Sequence, residues 1–267
     1  MRNVPAELDP LVVAEIDARL DGVGRDHGVS VVWAIESGSR AWGFPSPDSD
    51  YDCRFLYVRP RDDYLSLWRP RDVIETPLDE VFDVNGWDLA KAVELLTRGN
   101  AVVVEWLRSP IVYRGDAGFR DGLLELAEAV ADRALTGRHY LHSGRNQWPD
   151  ADGPVKLKRT FYALRAAAAL RWLDVNASSA VAPMELATLL AECDPPTDVV
   201  RETEELLAVK RVTREMGTGT PPPAILRFIE EQFARATQLY EHAEPRDPGE
   251  KRALADAYFR ETVERFG

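Results

Sequence analysis

The sequence predicts an α+β protein, with an N-terminal α/β domain built on a small mixed sheet and an all-α C-terminal domain. Segments rich in β-branched and aromatic residues, which favour strands, alternate with helical segments up to about residue 116. Beyond that point the apolar residues recur with helical spacing. We therefore expect two domains, residues 1–116 and 117–267.

The N-terminal domain is expected to begin with an amphipathic helix at 11–23 (LVVAEIDARLDGV). The expected strands, the last two joined by a short Pro-containing turn, cover 29–36, 51–58, 71–76 and 80–86. The segments that follow are two helices and a candidate edge strand, in the order DLAKAVELLTR, AVVVEWLR and SPIVYRG. Asp88 and Asn100 precede these two helices and are expected to be their N-caps.

The C-terminal domain is expected to consist of helices. They cover 118–135, 138–146, 155–174, 183–192, 197–216, 223–243 and 249–265. The segment GTGTPPP (217–223) is the clearest internal linker, because Gly and Pro interrupt helices. Ligand sites often lie between domains, so we expect a cleft between the two regions.

Composition limits the possible functions. The chain has 267 residues, a formal net charge of −12 and 45% hydrophobic residues, so it has the apolar content to bury a core and does not resemble a protein that coats nucleic acid. An RNA substrate would need a local basic groove. The basic residues do concentrate in one segment, as Arg133, Arg138, Arg145, Lys156, Lys158, Arg159, Arg165 and Arg171.

The two cysteines and the N-terminus indicate a cytoplasmic protein without a membrane partner. Two cysteines do not make a disulfide framework, and Cys53 is expected to face the packed side of its strand, opposite Asp52. The N-terminal MRNVPAELDP lacks the apolar stretch of a signal peptide. No apolar run approaches the roughly 18 residues of a membrane span.

The segment 36–58, ESGSRAWGFPSPDSDYDCRFLYV, contains the main candidate site. Asp50 and Asp52 alternate at the start of an expected strand, so their carboxylates face the same side. Two neighbouring carboxylates repel each other unless a cation lies between them, and Mg²⁺ accepts such ligands together with substrate phosphates. Gly38 allows the backbone to approach a phosphate, and Ser39 offers an amide and a hydroxyl as donors.

Other interpretations of this segment explain less. An EF-hand loop starting at Asp48 would need Gly and Glu where the chain has Cys53 and Arg59. A solvated turn accounts for Asp48 but not for two further acids that run into an apolar strand. The chain contains neither GxxxxGK[ST] nor GxGxxG, so P-loop and Rossmann sites lack their sequence motifs.

The arrangement G-S-(x)n-D-x-D on a strand, a loop and a strand resembles the nucleotidyltransferase superfamily related to DNA polymerase β. The fuller string GSRAWGFPSPDSDYDCRF is similar to the RlaP-type, RNA repair-associated nucleotidyltransferases. The resemblance extends over about residues 29 to 190 and includes FDVNGWDLAKAVELL, GNAVVVEWLRSPIVY and VKLKRTFYALRAAAALRW. Where the family usually has Asn-Pro, this chain has Asn100-Ala101.

The resemblance implies a nucleotidyltransferase-type catalytic head, followed by a helical substrate-binding domain. It implies two Mg²⁺ (or Mn²⁺) ions held by Asp50 and Asp52, with a third carboxylate from a neighbouring strand. Asp83 in EVFDVNGW matches the family's acidic position, and Asp88 is the alternative. The residues implied to contact the NTP are Gly38, Ser39, Arg40, Lys158, Tyr162 and Arg165.

Some of these residues also have ordinary structural interpretations. Arg40 could pair with the nearby acids instead of phosphate. Lys158, Tyr162 and Arg165 share one helical face, which could simply be solvent-exposed. Trp42 could stack on a base or anchor its loop.

The resemblance favours an RNA end as the acceptor of the nucleotidyl group. The acidic pI of about 4.9 keeps a small molecule or a protein hydroxyl open as the acceptor. A non-catalytic nucleotide-binding module is the alternative of a different class. The oligomeric state is not predicted.

Overall fold

A computed structural model describes residues 1–77, 81–148, 155–214, 216–245 and 248–267. Its main sheet has five strands in the order β3-β4-β2-β1-β5. The strands are β1 (Ser30–Glu36), β2 (Tyr51–Val58), β3 (Val73–Glu75), β4 (Phe82–Asp88) and β5 (Val112–Gly115). β2 and β4 run parallel, and the other neighbours are antiparallel. The predicted mixed sheet is therefore confirmed, and the expected turn before β4 lies largely outside the described residues.

The helices of the first half and the C-terminal helix pack around this sheet, and the intervening helices form a bundle beside it. The first six are α1 (Pro10–His27), α2 (Gly38–Ala41), α3 (Arg61–Leu65), α4 (Leu89–Thr97), α5 (Ala101–Leu107) and α6 (Ala117–Val130). The others are α7 (Arg133–Gln147), α8 (Leu157–Val175), α9 (Leu186–Glu192), α10 (Thr197–Val212), α11 (Pro223–Tyr240) and α12 (Pro248–Phe266). This confirms the α+β class with a helical C-terminal region.

Side-chain caps explain where several helices begin. The carboxylate of Asp88 accepts a hydrogen bond from the N–H of Ala90, and the side chain of Asn100 accepts one from Val102. Both predicted N-caps are thus confirmed.

The predicted break between the helices at 118–135 and 138–146 was wrong by several residues. α6 ends at Val130 and α7 begins at Arg133. Asp132 caps α7 by accepting hydrogen bonds from the N–H groups of Ala134 and Leu135. The apolar spacing continues across this boundary, so periodicity alone did not reveal it.

The predicted start of a helix at residue 155 was also wrong. Val155 and Lys156 form a short strand, β6, which pairs with β7 (Thr218–Gly219). β7 lies within the segment expected to be a linker, 217–223. Pairing between segments so distant in the chain leaves no local pattern. α9 and α10 are likewise shorter than predicted, and Glu215 lies outside the described residues.

Three apolar clusters hold the molecule together. One face of the sheet packs on α1 through residues such as Ile16 and Phe55. The other face packs on α4, α5 and α6, and α12 joins this cluster with Ala255 and Val263. The third cluster lies within α7 to α11 and includes Phe44 from the loop after α2. The boundary at residue 116 stays a prediction, yet α6 and α12 both contribute to the core of the sheet.

Both cysteines are buried and unpaired, as expected for Cys53 on the packed face of β2. Within the described ranges, every helix is too short or too polar to traverse a lipid bilayer.

Candidate active site

The parallel pairing of β2 and β4 brings two of the predicted acids together. Asp52 lies directly opposite Asp83 in the register of these strands, and side chains opposite each other in a parallel pair share a face. Asp50, just before β2, lines the same cleft as Asp52. Asp52 and Asp83 thus lie side by side on two paired strands, and Asp50 lies close to Asp52 at the start of β2.

Arg54 lies between two of these carboxylates. Its Nη2 is 3.0 Å from Oδ1 of Asp52 and 2.6 Å from Oδ2 of Asp83, and its Nη1 donates to the carbonyl of Asp83 at 2.7 Å. Burial raises the pKa of Asp52, Arg54 opposes this rise, and the charges of Asp50 and Asp83 add to it. Arg54 therefore supplies the positive charge that the clustered acids need.

Gly38 packs directly against Asp52. Its φ of +58° lies in the left-handed region, and an added Cβ would come within 1.9 Å of Oδ2 of Asp52. The N–H of Ser37 also donates to the carbonyl of Asp52 at 2.8 Å. The Gly-Ser loop and the acidic strand thus form one rigid unit.

Gly38→Ala is expected to lower the rate of nucleotidyl transfer by about 10²-fold, because the new methyl group displaces the carboxylate of Asp52. Gly43→Ala is the matched control, since Gly43 also has a positive φ of +88°, but an added Cβ there would meet no heavy atom of the described residues within 4 Å. Transfer rates and urea unfolding of both variants would be compared. Equal losses of activity would show that backbone strain, and not the clash with Asp52, is responsible.

The buried Glu36 is hydrogen-bonded to β2 at Asp52, and the sequence did not point to it. Glu36 accepts a hydrogen bond from the N–H of Asp52 at 3.0 Å and another from the hydroxyl of Tyr113 at 2.6 Å. Burial raises the pKa of Glu36 to about 7. The sequence feature that could have identified Glu36 is its position at the end of β1, directly before the Gly-Ser loop.

Glu36→Gln is expected to flatten the pH dependence of stability. The pKa of Glu36 is raised from 4.5 to about 7, so the folded state binds more protons than the unfolded state between these values. The free energy of unfolding therefore falls as pH rises through this window, by on the order of 3 kcal/mol in total. Glutamine keeps the acceptor for Asp52 and does not titrate.

Urea unfolding of the metal-free protein at pH 5 and pH 8 tests this expectation. The stability gained by Glu36→Gln over wild type should be larger at pH 8. Glu231→Gln, at an exposed position, is the control and should change neither value. A gain that is the same at both pH values would contradict a titrating Glu36.

Arg40 holds the loop and does not line the cleft. Its Nε donates to the carbonyl of Asp50 at 3.0 Å, its Nη2 donates to the carbonyl of Ser49, and its guanidinium lies 3.9 Å from the centre of the Tyr51 ring. Ser39 is buried behind Gly38, and its hydroxyl donates to that of Ser49 at 3.0 Å. The structure thus brings Gly38 to the cleft but engages Arg40 and Ser39 within the loop.

The expected cleft lies between the sheet and the helical bundle and has a volume of about 470 Å³. One wall carries Asp50, Asp52 and Gly38, and the opposite wall is formed by α7 and α8. On α7, residues spaced four apart face the cleft, namely His139, Ser143 and Gln147. Burial lowers the pKa of His139, which favours its neutral form. Sequence analysis missed this uncharged polar stripe, although its spacing was readable.

On α8, Lys158 and Tyr162 face the acids across the cleft, as predicted. Burial raises the pKa of Tyr162, and the nearby Lys158 opposes this rise. The ring of Trp42 meets that of Tyr162 edge to face, with 5.4 Å between centroids. Trp42 therefore anchors its loop on α8 and also lines the cleft.

Arg165 lies at the floor of the cleft in a buried ion pair. Its Nη2 is 2.6 Å from Oε1 of Glu105, a contact without the alignment of a hydrogen bond, and its Nε donates to the carbonyl of Met184 at 2.8 Å. The guanidinium also lies 4.7 Å from the ring centre of Trp42. The pair joins α5 to α8, and both helices contribute residues to the cleft.

Asp88, the alternative third acid, lies at the other end of the strand pair. It is opposite Tyr57 in the register, five residues beyond Asp83, and accepts a hydrogen bond from the hydroxyl of Tyr64. Arg59 is its ionic neighbour at 3.5 Å. The structure therefore brings Asp83, and not Asp88, to the other acids.

The expected basic groove is smaller than the sequence indicated. Arg133, Arg138 and Arg171 donate to backbone carbonyls within the bundle, and Arg145 contacts Glu241. Arg165 is buried with Glu105. Among the described residues, the basic side chains of this segment with neither an ion pair nor a hydrogen bond to a backbone carbonyl are those of Lys156, Lys158 and Arg159.

The donors suit a hard divalent cation that also binds substrate phosphates. Among the described residues, no three His, Cys, Asp or Glu side chains converge closely enough to enclose an ion by themselves. Mg²⁺ needs only one or two protein carboxylates when phosphates and water complete its shell. The carboxylate of Asp52 occupies the space that a Cβ at Gly38 would need, so this carboxylate lies directly against the Gly38 backbone.

Comparisons with known proteins identify the family of this chain. Residues 12–261 match the model of a family described as "RlaP: RNA repair pathway DNA polymerase beta family". The chain is also 36% identical over 218 residues to the uncharacterized protein YcgL of Bacillus subtilis (strain 168), which covers 81% of this chain and 83% of that protein. The match extends through both the acidic strands and the helical wall of the cleft, and the chain therefore belongs to the RlaP family of DNA polymerase β-like proteins.

Proposed function

We propose that this protein is a divalent-metal-dependent nucleotidyltransferase, which takes an NTP, releases pyrophosphate and transfers the nucleoside monophosphate to a hydroxyl group at an RNA end. The observation that carries the proposal is the meeting of Asp52 and Asp83 across two parallel strands, with Asp50 and Gly38 beside them. Family membership supports the same chemistry.

Five residues have defined roles in this proposal. Asp50 and Asp52 would bind two Mg²⁺ ions, and Asp83 would bind the ion next to the acceptor. Two such ions stabilise the attacking and the leaving oxygens of an in-line displacement. The backbone at Gly38 lets a phosphate approach closely, and Lys158 neutralises charge on the triphosphate from the opposite wall.

Arg54 has a role that the sequence did not suggest. It occupies the space between Asp52 and Asp83 and keeps both carboxylates on one face. With cations bound at Asp83, Arg54 would pair with Asp52 alone or with a substrate phosphate, because like charges repel.

An assay with each α-labelled NTP, Mg²⁺ and a short RNA tests the function. Label on RNA with wild type, and none with the Asp50→Asn/Asp52→Asn variant, supports the proposal and names the base. Label on a protein band would identify a protein hydroxyl as the acceptor. No label with any NTP, in Mg²⁺ or Mn²⁺, would count against an RNA acceptor.

A small-molecule or protein hydroxyl is the second candidate acceptor. It is favoured by the arginines of α7 and α8, most of which are bound within the protein, and by the net charge of −12. Salt dependence separates the two candidates. The KM for an RNA acceptor should rise steeply with salt, since binding releases counterions, whereas the KM for a neutral small acceptor should not.

A further inference from the structure

The first turn of α8 has charges that are unfavourable for a helix N-terminus. Lys158 and Arg159 lie in this turn, no acid does, and Lys156 at the N-cap position makes no side-chain capping bond. Free N–H groups and the positive end of the helix dipole stabilise anions and disfavour cations. Because Lys158 lines the cleft, this turn faces the proposed substrate. A bound anion would remove the conflict.

Lys210 on α10 is a second, independent feature that points to an anion. It is only 3% exposed, and its ammonium group has no ion pair or hydrogen bond with any described residue. Its ammonium lies 5.4 Å from the ring centre of Phe44 and 5.3 Å from that of Phe161. Such cation–π contacts are weak compared with the cost of burying a charge, so they compensate only part of that cost.

The surroundings of Lys210 connect it to the site. Phe161 lies one turn from Lys158 on α8, and Phe44 follows the Gly-Ser loop and stacks on Phe161 at 5.1 Å. Burial lowers the pKa of Lys210, the charge of Lys158 lowers it further, and Asp48 opposes both. Two ammonium groups thus lie close enough to repel each other beside the loop.

Hydroxyl groups add neutral donors to the same loop. Ser39, Ser46 and Ser49 form a hydrogen-bonded group in which the Oγ of Ser49 lies 3.0 Å from the Oγ of each of the other two. Hydroxyl donors and ammonium groups together are the usual partners of phosphate oxygens. The charged and the neutral groups therefore suit the same kind of ligand.

We propose that Lys210, Lys158 and the N-terminal turn of α8 form a polyphosphate site, which takes the terminal phosphates of the incoming triphosphate. The proposal rests on the proposed function and adds Lys210 to it. Backbone phosphates of RNA share this chemistry. Because Lys210 is almost fully enclosed, the compact end of a triphosphate reaches it more readily than a polynucleotide backbone does.

Calorimetry with inorganic tripolyphosphate tests this site on the full-length protein, with and without Mg²⁺. Lys210→Met keeps the apolar stem and removes the charge, and it should weaken binding by about tenfold or more, as loss of a charged hydrogen bond does. Lys210→Arg should bind within about threefold of wild type. Arg211→Met is the matched control, since it removes a charge from the exposed side of the same helix and should also bind within about threefold.

A merely structural Lys210 would give a different pattern. Lys210→Met should then lose stability with unchanged affinity, whereas the proposal expects an equal or higher melting temperature with weaker binding. Equal affinity of wild type and Lys210→Met, or no binding of tripolyphosphate by wild type, would overturn the proposal. If Lys210→Met does not fold, Lys210→Gln replaces it.

Two further outcomes have defined meanings. If an RNA without a triphosphate occupied this site at equal phosphate concentration and tripolyphosphate did not, the assignment to triphosphate would be overturned. Since the titration needs no turnover, Lys210-dependent binding in a protein that transfers no label would reject the proposed function and support this site.

Discussion

Asp52→Asn is expected to lower the proposed NMP transfer by at least about 10³-fold, because a carboxylate proposed to bind the ions is lost. The fold should remain intact. Burial raises the pKa of Asp52, Arg54 opposes this rise, and the charges of Asp50 and Asp83 add to it. Asparagine therefore removes a disfavoured negative charge from the metal-free protein. The melting temperature should therefore stay equal or increase.

The same labelling assay, with thermal melting beside it, measures both effects. Asp48→Asn is the matched control, because Asp48 is an exposed acid of the same loop and should keep its activity. Asp83→Asn should behave as Asp52→Asn does, whereas Asp88→Asn should keep transfer and lose stability, since Asp88 caps α4. Near-normal activity of Asp52→Asn would exclude this site.

Glu105→Ala is expected to destabilise the protein by about 3–5 kcal/mol, because it leaves Arg165 buried without its ionic partner. Glu105 and Arg165 are both buried and lie 2.6 Å apart. The double variant Glu105→Leu/Arg165→Met should recover most of this loss, since two apolar side chains replace two charges. Glu205→Ala, at the exposed pair with Arg201, should cost no more than about 1 kcal/mol.

Urea unfolding of these proteins, together with the single variants Glu105→Leu and Arg165→Met, gives the comparison. A double variant that is as unstable as the sum of the single variants would mean that the two side chains act independently. Removing the ion pair should also affect the proposed reaction. Because the pair joins α5 to α8, the double variant is expected to be stable yet to have a raised KM for NTP, with the two walls of the cleft less well aligned.

The parts of the fold and site that sequence predicts are those encoded by local spacing. The alternation of Asp50 and Asp52, the nearby Gly38, the β-branched strands and the helical periods were all readable, and the resemblance supplied Asp83. The opposition of Asp52 and Asp83 needed the strand order, because β4 joins β2 only after α3 and β3.

The features that sequence did not predict depend on contacts between distant segments. Glu36 is held by Tyr113, and Lys210 by Phe44 and Phe161, none of which is near its partner in the chain. The arginines of α7 and α8 form a basic cluster in sequence, yet backbone carbonyls elsewhere bind most of them. Charge counting cannot detect such partners, and it overestimated the groove for this reason.

The position of α12 affects the protein while it is being synthesised. Ala255 and Val263 belong to the core that covers one face of the sheet, so this core stays incomplete until translation has passed residue 263. The strands that carry Asp52 and Asp83 keep part of their apolar surface exposed while α7 to α11 leave the ribosome and fold. A partly folded chain with exposed apolar surface is prone to aggregate. A chain that stops before residue 248 would contain every candidate catalytic residue and still fail to assemble the sheet that aligns them.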